Sequence, residues 1–398
     1  MPTGFRVALL STSGGPMSDG NIVPQGMDGM AAFPAANGRI RLLRNHEIRN
    51  TATDSRRTTM SPTQLYDALG PGGVTTLEVD FNPDGSPYLV REWVSLAGTF
   101  ANCAGGPTPW GSWISCEESV SGTASGWEKN HGYNFEVSAA SDGQVVPVPL
   151  KAMGRFTHEA VAVDPDSGIV YQTEDRNPSG LYRFIPATPG TLQNGGRLEM
   201  LAVVGAPQAD LRVGQTVGST LTCEWVEIPV PDSDLGSLSS GFVFNQGHTL
   251  GGAWFARLEG CWYGNGSVYV NATSGGDAAC GQVFRLTPLS ATQSLLTLMF
   301  ESPGVEVLDA PDNLCVSPRG GLVLCEDGDS NCYVRGLSRD GVLFDLVRNN
   351  ESDAEWAGAC FSPDGRVLFV NSQGSTNVAG ALPSRTWAIW GPWDRGPL

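Results

Sequence analysis

Residues 361–372 read FSPDGRVLFVNS, and residues 316–327, which lie 45 positions earlier, read VSPRGGLVLCED. Each stretch passes from an apolar residue through a turn that contains Pro and Gly into a run of aliphatic residues. Two further stretches match this pattern more weakly: VDFNPDGSPYLV at 79–90 and VDPDSGIVYQTED at 163–175. A strand, a tight turn and a returning strand that recur at this spacing are typical of the blades of a β-propeller.

Strand patterns dominate the rest of the chain, and helical periodicity is weak. Glycine (51 residues) and proline (27 residues) are abundant, as turn-rich all-β proteins require. The best helix candidate is short and covers Ser61–Leu69. We predict an all-β fold, a single six-bladed β-propeller domain over residues 1–398 with few short helices; a pair of β-sandwiches is the alternative. Predicted strands are Val74–Phe81, Tyr88–Val94, Gly168–Thr173, Leu181–Ile185, Val268–Ala272, Val283–Leu286, Leu322–Cys325 and Val367–Asn371.

The composition limits the partners of this protein. The formal net charge is −17, and lysine supplies only two of the 24 basic residues. Such an acidic chain disfavours nucleic acid and anionic membranes as partners. It contains no apolar run long enough to span a bilayer, and no signal peptide is visible at its start. We therefore expect a monomer that acts on small molecules.

One stretch, Gly98–Ser119, carries an unusual set of metal-binding side chains. It reads GTFANCAGGPTPWGSWISCEES and places Cys103 upstream of the adjacent Glu117 and Glu118. A thiolate suits a transition metal, whereas carboxylates suit a hard cation.

Further acidic residues recur at the ends of apolar runs. In a propeller the inner strands converge on a central channel, so residues distant in sequence meet there. Several carboxylates in one pocket would repel each other and take up protons unless cations were bound. We therefore predict a metal site in the channel, to which Glu118, Glu159, Glu259 and Asp312 contribute.

Several motifs follow one another along nearly the whole chain. They are DGMAAFP (28–34), LLRNHE (42–47), NCAGGPTPWGSWISCEE (102–118), GRFTHEAVAVDP (154–165), YQTEDR (171–176), RLEGCWY (257–263), SGGD (274–277), DNLCVSPRGGLVLCEDG (312–328) and FSPDGRVLFVN (361–371). In these motifs the sequence resembles the PhoX-type alkaline phosphatases, a calcium- and iron-dependent family. The resemblance implies a six-bladed propeller that hydrolyses phosphate monoesters at alkaline pH. It also implies a cluster of Fe(3+) and Ca(2+) bridged by an oxo group, and a metal-bound oxo or hydroxide as the nucleophile.

The resemblance also assigns roles to single residues. Cys103 would be a thiolate ligand to iron, and Arg257 would clamp the phosphate oxygens next to Glu259, the other catalytic candidate. The carboxylate ligands of iron or calcium would be Glu117, Glu118, Glu159, Glu259, Asp277, Asp312 and Asp327. Family members are typically exported, so we expect a periplasmic or secreted protein, with a cytoplasmic location as the alternative.

Several alternatives stay open at the level of sequence. His46 and His158 are alternative catalytic candidates, whereas we predict structural roles for His131 and His248. Some of the nine cysteines, for example Cys261 with Cys280, could form disulfides in an oxidising compartment. The protein could also be a calcium-binding propeller that acts as a phosphodiesterase or lactonase, or a non-catalytic binding module. Neither alternative needs a thiolate ligand at Cys103.

Overall fold

A computed structural model describes residues 1–49, 64–329, 332–350, 354–374 and 382–398. Within these ranges the chain forms 24 β-strands and one α-helix, α1 (Phe242–Thr249). Short 3-10 helices cover Ala36–Gly38, Thr123–Ser125, Lys151–Met153 and Leu192–Asn194. No helix in the described ranges has the length and apolar character needed to cross a bilayer.

The strands follow one another in short antiparallel steps. The first eight are β1 (Arg6–Thr12), β2 (Met27–Pro34), β3 (Ile40–His46), β4 (Gly72–Phe81), β5 (Pro87–Thr99), β6 (Asn102–Pro107), β7 (Ser112–Glu117) and β8 (Asn134–Ser138). The next eight are β9 (His158–Val163), β10 (Val170–Glu174), β11 (Tyr182–Pro186), β12 (Gly196–Val203), β13 (Thr220–Glu227), β14 (Leu258–Gly264), β15 (Ser267–Ala272) and β16 (Gln282–Pro288). The last eight are β17 (Ser294–Glu301), β18 (Pro311–Val316), β19 (Leu322–Glu326), β20 (Tyr333–Leu337), β21 (Leu343–Arg348), β22 (Trp356–Phe361), β23 (Val367–Ser372) and β24 (Arg385–Trp390).

The sheets are arranged around a central axis. The innermost strands β2, β6, β9, β14, β18 and β22 contact one another in that order, and β22 contacts β2 to close the ring. Four sheets have the orders β2-β3-β4-β5, β6-β7-β8, β18-β19-β20-β21 and β22-β23-β24-β1. The sets β9–β13 and β14–β17 form one nine-stranded sheet because their outer strands β13 and β17 pair. The prediction of an all-β propeller with few short helices is confirmed.

The N-terminal strand ties the ring together. Strand β1 pairs antiparallel with β24, so the two ends of the described chain share one sheet. All eight strands predicted from the sequence are present, with boundaries shifted by a few residues. Of the predicted helix, residues 61–63 lie outside the described ranges, and residues 64–69 contain no α-helix.

Alternating apolar residues explain the strands and the core. In β17, Leu296 and Leu298 are buried in the core, whereas Thr297 and Met299 between and beside them are only partly buried. Apolar clusters of this kind fill the space between neighbouring sheets.

The centre of the ring is tightly filled. A Cβ atom on Gly260 would lie 2.6 Å from the main-chain oxygen of Asp312, so only glycine permits this approach of β14 to β18. Trp262 packs against core residues of several sheets, and a cavity of about 10 Å³ remains beside it. The channel is therefore filled at mid-depth, and the acidic residues occupy one end of it.

Candidate metal centre

Nine acidic or thiol side chains form one continuous band at this end of the ring. They fall into four overlapping groups, and in each group the possible ligand atoms lie within 4.8 Å of one another. Adjacent groups share Cys103, Glu159 or Asp312. We call this set the acidic band; its members are Asp28, Glu47, Cys103, Glu118, Glu159, Glu259, Asp312, Asp327 and Glu355.

The fold brings these residues together through one repeated placement. Six of them lie in or just before the first half of an inner strand, as Cys103 does in β6 and Glu159 in β9. The other three follow directly after a second strand, as Glu118 follows β7. The start of a strand and the end of its antiparallel neighbour lie at the same edge of a sheet. Every sheet that contributes therefore presents its ligands at the same end of the propeller.

Glu159 is the residue that most clearly requires a cation. Its side chain is fully buried, and neither carboxylate oxygen has a hydrogen-bond partner among the residues that the structure describes. Burial raises its pKa well above the usual range, and the nearby Asp312 and Glu118 raise it further. A buried carboxylate without a donor is costly, and this cost is removed when the oxygens coordinate a metal ion.

Asp28 is a second buried carboxylate with too few hydrogen-bond donors. Burial, followed by the charge of Glu47, raises its pKa to about 7. Within the described ranges its Oδ1 atom has no hydrogen-bond partner, although Gln373 donates to Oδ2 at 2.7 Å. These carboxylates therefore fit a hard cation, which prefers oxygen ligands.

Two pairs of carboxyl groups contact each other directly at the rim. Glu118 hydrogen-bonds with Asp175, and Asp327 with Glu355. Two carboxyl groups can share such a contact only if a proton or a cation lies between them. Burial raises the pKa of Glu118 well above its usual range; Arg49 opposes this rise, whereas Asp175 adds to it.

Cys103 adds a soft ligand to this hard set. Its Sγ atom lies 3.7 Å from Oδ2 of Asp28, and the side chain is buried. Burial and then the charges of Asp28 and Glu159 raise the pKa of the thiol well above its usual range. A metal ion would favour the thiolate instead, because the deprotonated sulfur is the form that coordinates. A thiolate beside carboxylates suits a transition metal such as iron.

Two arginines face the band. Arg257 donates from Nε and Nη2 to the two oxygens of Asp175 at 2.8 and 2.9 Å, and from Nη2 to Glu259 at 2.8 Å. Arg49 forms ion pairs with Glu47 and Glu118. Both arginine side chains are 41% exposed, so each guanidinium can reach solvent as well as the carboxylates.

Glu117 and Asp277 lie outside the four groups. Glu117 accepts hydrogen bonds from the main-chain N–H groups of Phe100, Gly132 and Tyr133, and both of its oxygens are engaged. Asp277 is exposed and accepts a hydrogen bond from the N–H of Gly214 at 2.7 Å. Both carboxylates are thus supplied with hydrogen-bond donors, and neither belongs to the ligand set that we propose.

His131 explains why Glu117 is compensated. Its Nδ1 atom lies 2.7 Å from Oε1 of Glu117, and its Nε2 atom lies 3.4 Å from Oδ2 of Asp67. Burial lowers the pKa of the imidazole, but Glu117 and Asp67 together raise it to about 9. An imidazolium between two carboxylates thus holds the end of β7, directly before Glu118. We call Asp67, Glu117 and His131 the compensated cluster.

The other three histidines make structural contacts. His46 lies between the main-chain oxygen of Gln25 and the hydroxyl of Thr75, and Nε2 of His158 lies 3.0 Å from a main-chain oxygen. His248 contacts the main-chain oxygen of Gly252. No disulfide joins any of the nine cysteines, all of which belong to the described part of the chain.

Sequence reasoning missed several residues of this site. Asp28 and Glu47 stand in motifs that supported the resemblance, but a single acidic residue at a strand end carries no signal of its own. Asp175 also stands in such a motif, YQTEDR, whereas Arg49 follows one and Glu355 precedes a strand without a recognisable motif. Only their convergence on one end of the ring identifies them.

Comparisons with known proteins identify the family and the fold. The family model described as alkaline phosphatase PhoX matches residues 1–375. The fold resembles that of Pseudomonas fluorescens PhoX in complex with vanadate, a transition state analogue. That match has a TM-score of 0.74 and 19% identity and covers 98% of this chain and 95% of that one.

Other solved structures match with TM-scores below 0.5. The gluconolactonase XC5397 from Xanthomonas campestris gives a TM-score of 0.47 at 12% identity, covering 98% of this chain and 97% of that one. A virginiamycin B lyase from Staphylococcus aureus gives 0.40 at 11% identity, covering 97% and 99%. A comparison with curated protein sequences found no significant match.

Proposed function

Because the chain belongs to the alkaline phosphatase PhoX family, we propose that it hydrolyses phosphate monoesters at alkaline pH with iron and calcium bound in the acidic band. The observation that carries this proposal is the buried Glu159, whose two oxygens meet no hydrogen-bond donor in the described part of the chain. It lies between Cys103 and Glu118 on one side and Glu259 and Asp312 on the other. Removing so much negative charge from water requires positive charge in the same place.

The donor types suggest how the ions are divided. The group of Cys103, Glu118 and Glu159 combines sulfur with oxygen and fits iron. The group of Asp312, Asp327 and Glu355 offers only oxygen and fits calcium. Bound there, the two kinds of ion would neutralise the phosphate oxygens and supply an activated oxygen nucleophile.

Arg257 is the side chain that we propose to hold the phosphate group. The guanidinium already makes a bidentate contact with Asp175, the geometry that also recognises phosphate. It stands at the solvent-facing rim of the band, so an entering ester would meet it first. Asp175 and Glu259 orient the guanidinium, and Arg49 supplies a second positive group at the rim.

The experiment is elemental analysis of the purified protein combined with a chromogenic monoester assay. We expect both iron and calcium, a visible charge-transfer absorbance from the thiolate, and activity that increases above neutral pH. Exhaustive chelation should abolish the activity. Calcium without iron would defeat the thiolate assignment, and activity that survives chelation would defeat the metal mechanism. A preference for a phosphate diester or a lactone would favour the alternative substrates.

A further inference from the structure

Four buried side chains link an inner strand to the second strand of the preceding set around the ring. In three of these links the side chain is an asparagine, and in the fourth, between the two sets of the nine-stranded sheet, it is a threonine. Nδ2 of Asn371 in β23 donates to the main-chain oxygen of Asp28 in β2 at 2.6 Å. Nδ2 of Asn45 in β3 donates to the main-chain oxygen of Cys103 in β6 at 3.0 Å.

The other two links follow the same pattern. Nδ2 of Asn271 in β15 donates to the main-chain oxygen of Asp312 in β18 at 2.9 Å. The hydroxyl of Thr173 in β10 lies 2.5 Å from the main-chain oxygen of Glu259 in β14. This hydroxyl also accepts a hydrogen bond from the N–H of Ala160, the residue after Glu159, at 3.0 Å. We call these four side chains the inter-sheet clamps: Asn45, Thr173, Asn271 and Asn371.

In each link the side chain reaches the carbonyl of a member of the acidic band; Asn45 also donates to the main-chain oxygen of Ala104 at 2.6 Å. The pairing of each inner strand with its own second strand is also interrupted at that member. In β2 the register shifts between Met27 and Met30, and in β6 it shifts between Asn102 and Gly105. Equivalent shifts occur in β14 between Leu258 and Cys261, and in β18 between Pro311 and Leu314.

These bulges explain why the clamps are needed. A bulge turns the side chain of the extra residue toward a new direction and disrupts the local ladder, leaving main-chain groups without their usual partners. A buried carbonyl needs another donor, and the clamp supplies it from the preceding set of strands around the ring. The clamps themselves are fully buried, so water does not compete for these bonds.

We propose that the inter-sheet clamps are positioning residues of the metal centre. They hold the main chain of four band residues in place while the side chains of the band repel one another, and thereby keep the ligands arranged for a cation. This inference rests on the proposed metal centre. It adds residues that touch no ligand atom and that act only through the main chain.

Thr173 offers the sharpest test because two close variants separate its hydroxyl from its shape. Thr173→Val keeps the volume and loses the hydroxyl, whereas Thr173→Ser keeps the hydroxyl. The affinity of the full-length, chelator-treated protein for Ca(2+) alone would be measured by calorimetry. Melting temperatures would be recorded with and without Ca(2+). We expect Thr173→Val to bind Ca(2+) about tenfold more weakly, the effect of one buried hydrogen bond. Thr173→Ser should stay within about threefold of the native chain.

The outcomes distinguish this inference from the proposed function. A native chain that binds no Ca(2+) would contradict the metal centre itself. A second outcome would overturn the inference: the native chain and Thr173→Val bind Ca(2+) equally well. The melting temperature of Thr173→Val would then lie below that of the native chain by the same amount with and without the ion, and the clamp would be merely structural. If Thr173→Val does not fold, Asn271→Leu provides the same comparison at β15, and unchanged Ca(2+) affinity there overturns the inference as well.

Discussion

Glu117 and Glu118 are neighbours in the chain, yet they belong to two regions with opposite electrostatics. Glu117 is part of the compensated cluster, where the imidazole of His131 and three main-chain N–H groups balance its charge. Glu118 belongs to the acidic band, where burial and Asp175 raise its pKa well above the usual range. Successive residues at a strand end point in opposite directions, so adjacent carboxylates enter different surroundings.

The difference teaches how a cation site is recognised. Both regions contain buried carboxylates, so burial alone does not identify a ligand. What separates them is the supply of donors, which is complete for Glu117 and absent for Glu159. Removing a carboxylate should therefore have opposite effects on the metal-free fold in the two regions.

The largest effect is expected for Glu159→Gln. This change should lower metal content and reduce phosphatase activity at least about 100-fold, because a central ligand is lost. The chelated variant should melt at the same temperature as the native chain or higher, since an unpaired buried charge has been removed. Metal analysis, rate measurements and thermal melts would check this. A chelated variant that melts well below the native chain would contradict the view that Glu159 is uncompensated.

Cys103→Ala tests the soft end of the band. We expect this variant to lose iron and nearly all activity, because hard oxygen ligands replace a thiolate poorly. Metal analysis and loss of the visible absorbance would report the change. Full retention of iron and rate would remove Cys103 from the ligand set.

The matched control is Arg257→Ala. It leaves the ligands in place but removes the phosphate clamp, at a cost of about 2–4 kcal/mol in transition-state stabilisation. Both metals should remain while the rate falls. If Arg257→Ala loses metal as readily as Cys103→Ala does, Arg257 is a structural partner of Asp175 and Glu259.

A moderate effect of the opposite kind is expected for Glu117→Gln. The loss of charge beside His131 should lower the free energy of unfolding by about 2–4 kcal/mol, with or without metal. Metal content should stay near that of the native chain, because Glu117 lies outside the four groups. Chemical denaturation and metal analysis would measure both quantities. Selective loss of metal without loss of stability would return Glu117 to the ligand set.

The smallest effect concerns pH and separates the two regions by their titration ranges. Folding raises the pKa of Asp28 from 3.8 to about 7, so the metal-free protein should lose stability as pH rises through that range. Folding raises the pKa of His131 from 6.5 to about 9, so its contribution is complete below pH 6.5 and is lost as pH rises through 9. Saturating Ca(2+) should remove the first loss and leave the second.

Denaturation curves at a series of pH values would show both losses. His131→Asn serves as the control, because it should abolish the loss above pH 6.5 and leave the lower range unchanged. If Ca(2+) does not change the loss of stability in the lower pH range, the carboxylates of the acidic band do not bind the ion.

Much of the site could be predicted from the sequence, and the remainder shows why some of it could not. Long motifs place Cys103, Glu118 and Glu159 beside apolar strand residues, so their position at strand ends could be predicted. Glu117 has the same local signal as Glu118. The charge of Glu117 is balanced because His131 lies beside it and also contacts Asp67. These two residues are distant from Glu117 in the chain and have no motif of their own.

The sequence by itself determined the class of fold and the position of the acidic residues at the ends of strands. Alternating apolar residues and Pro- and Gly-containing turns define the strands locally, and a strand that is followed by a charged residue places that residue at the edge of a sheet. These are short-range properties, so they can be read without knowing which strands pair.

Only the tertiary structure decided which charges are balanced. The sharing of Asp312 between two groups and the bond from Asn371 to Asp28 join different sheets. The contact of Arg257 with Asp175 joins the two sets of strands within the nine-stranded sheet. The electrostatic energy of a buried carboxylate depends on donors within a few ångströms in space, whatever their separation along the chain. For this reason the sequence could place the carboxylates, but the closed ring of sheets determined which of them need a cation.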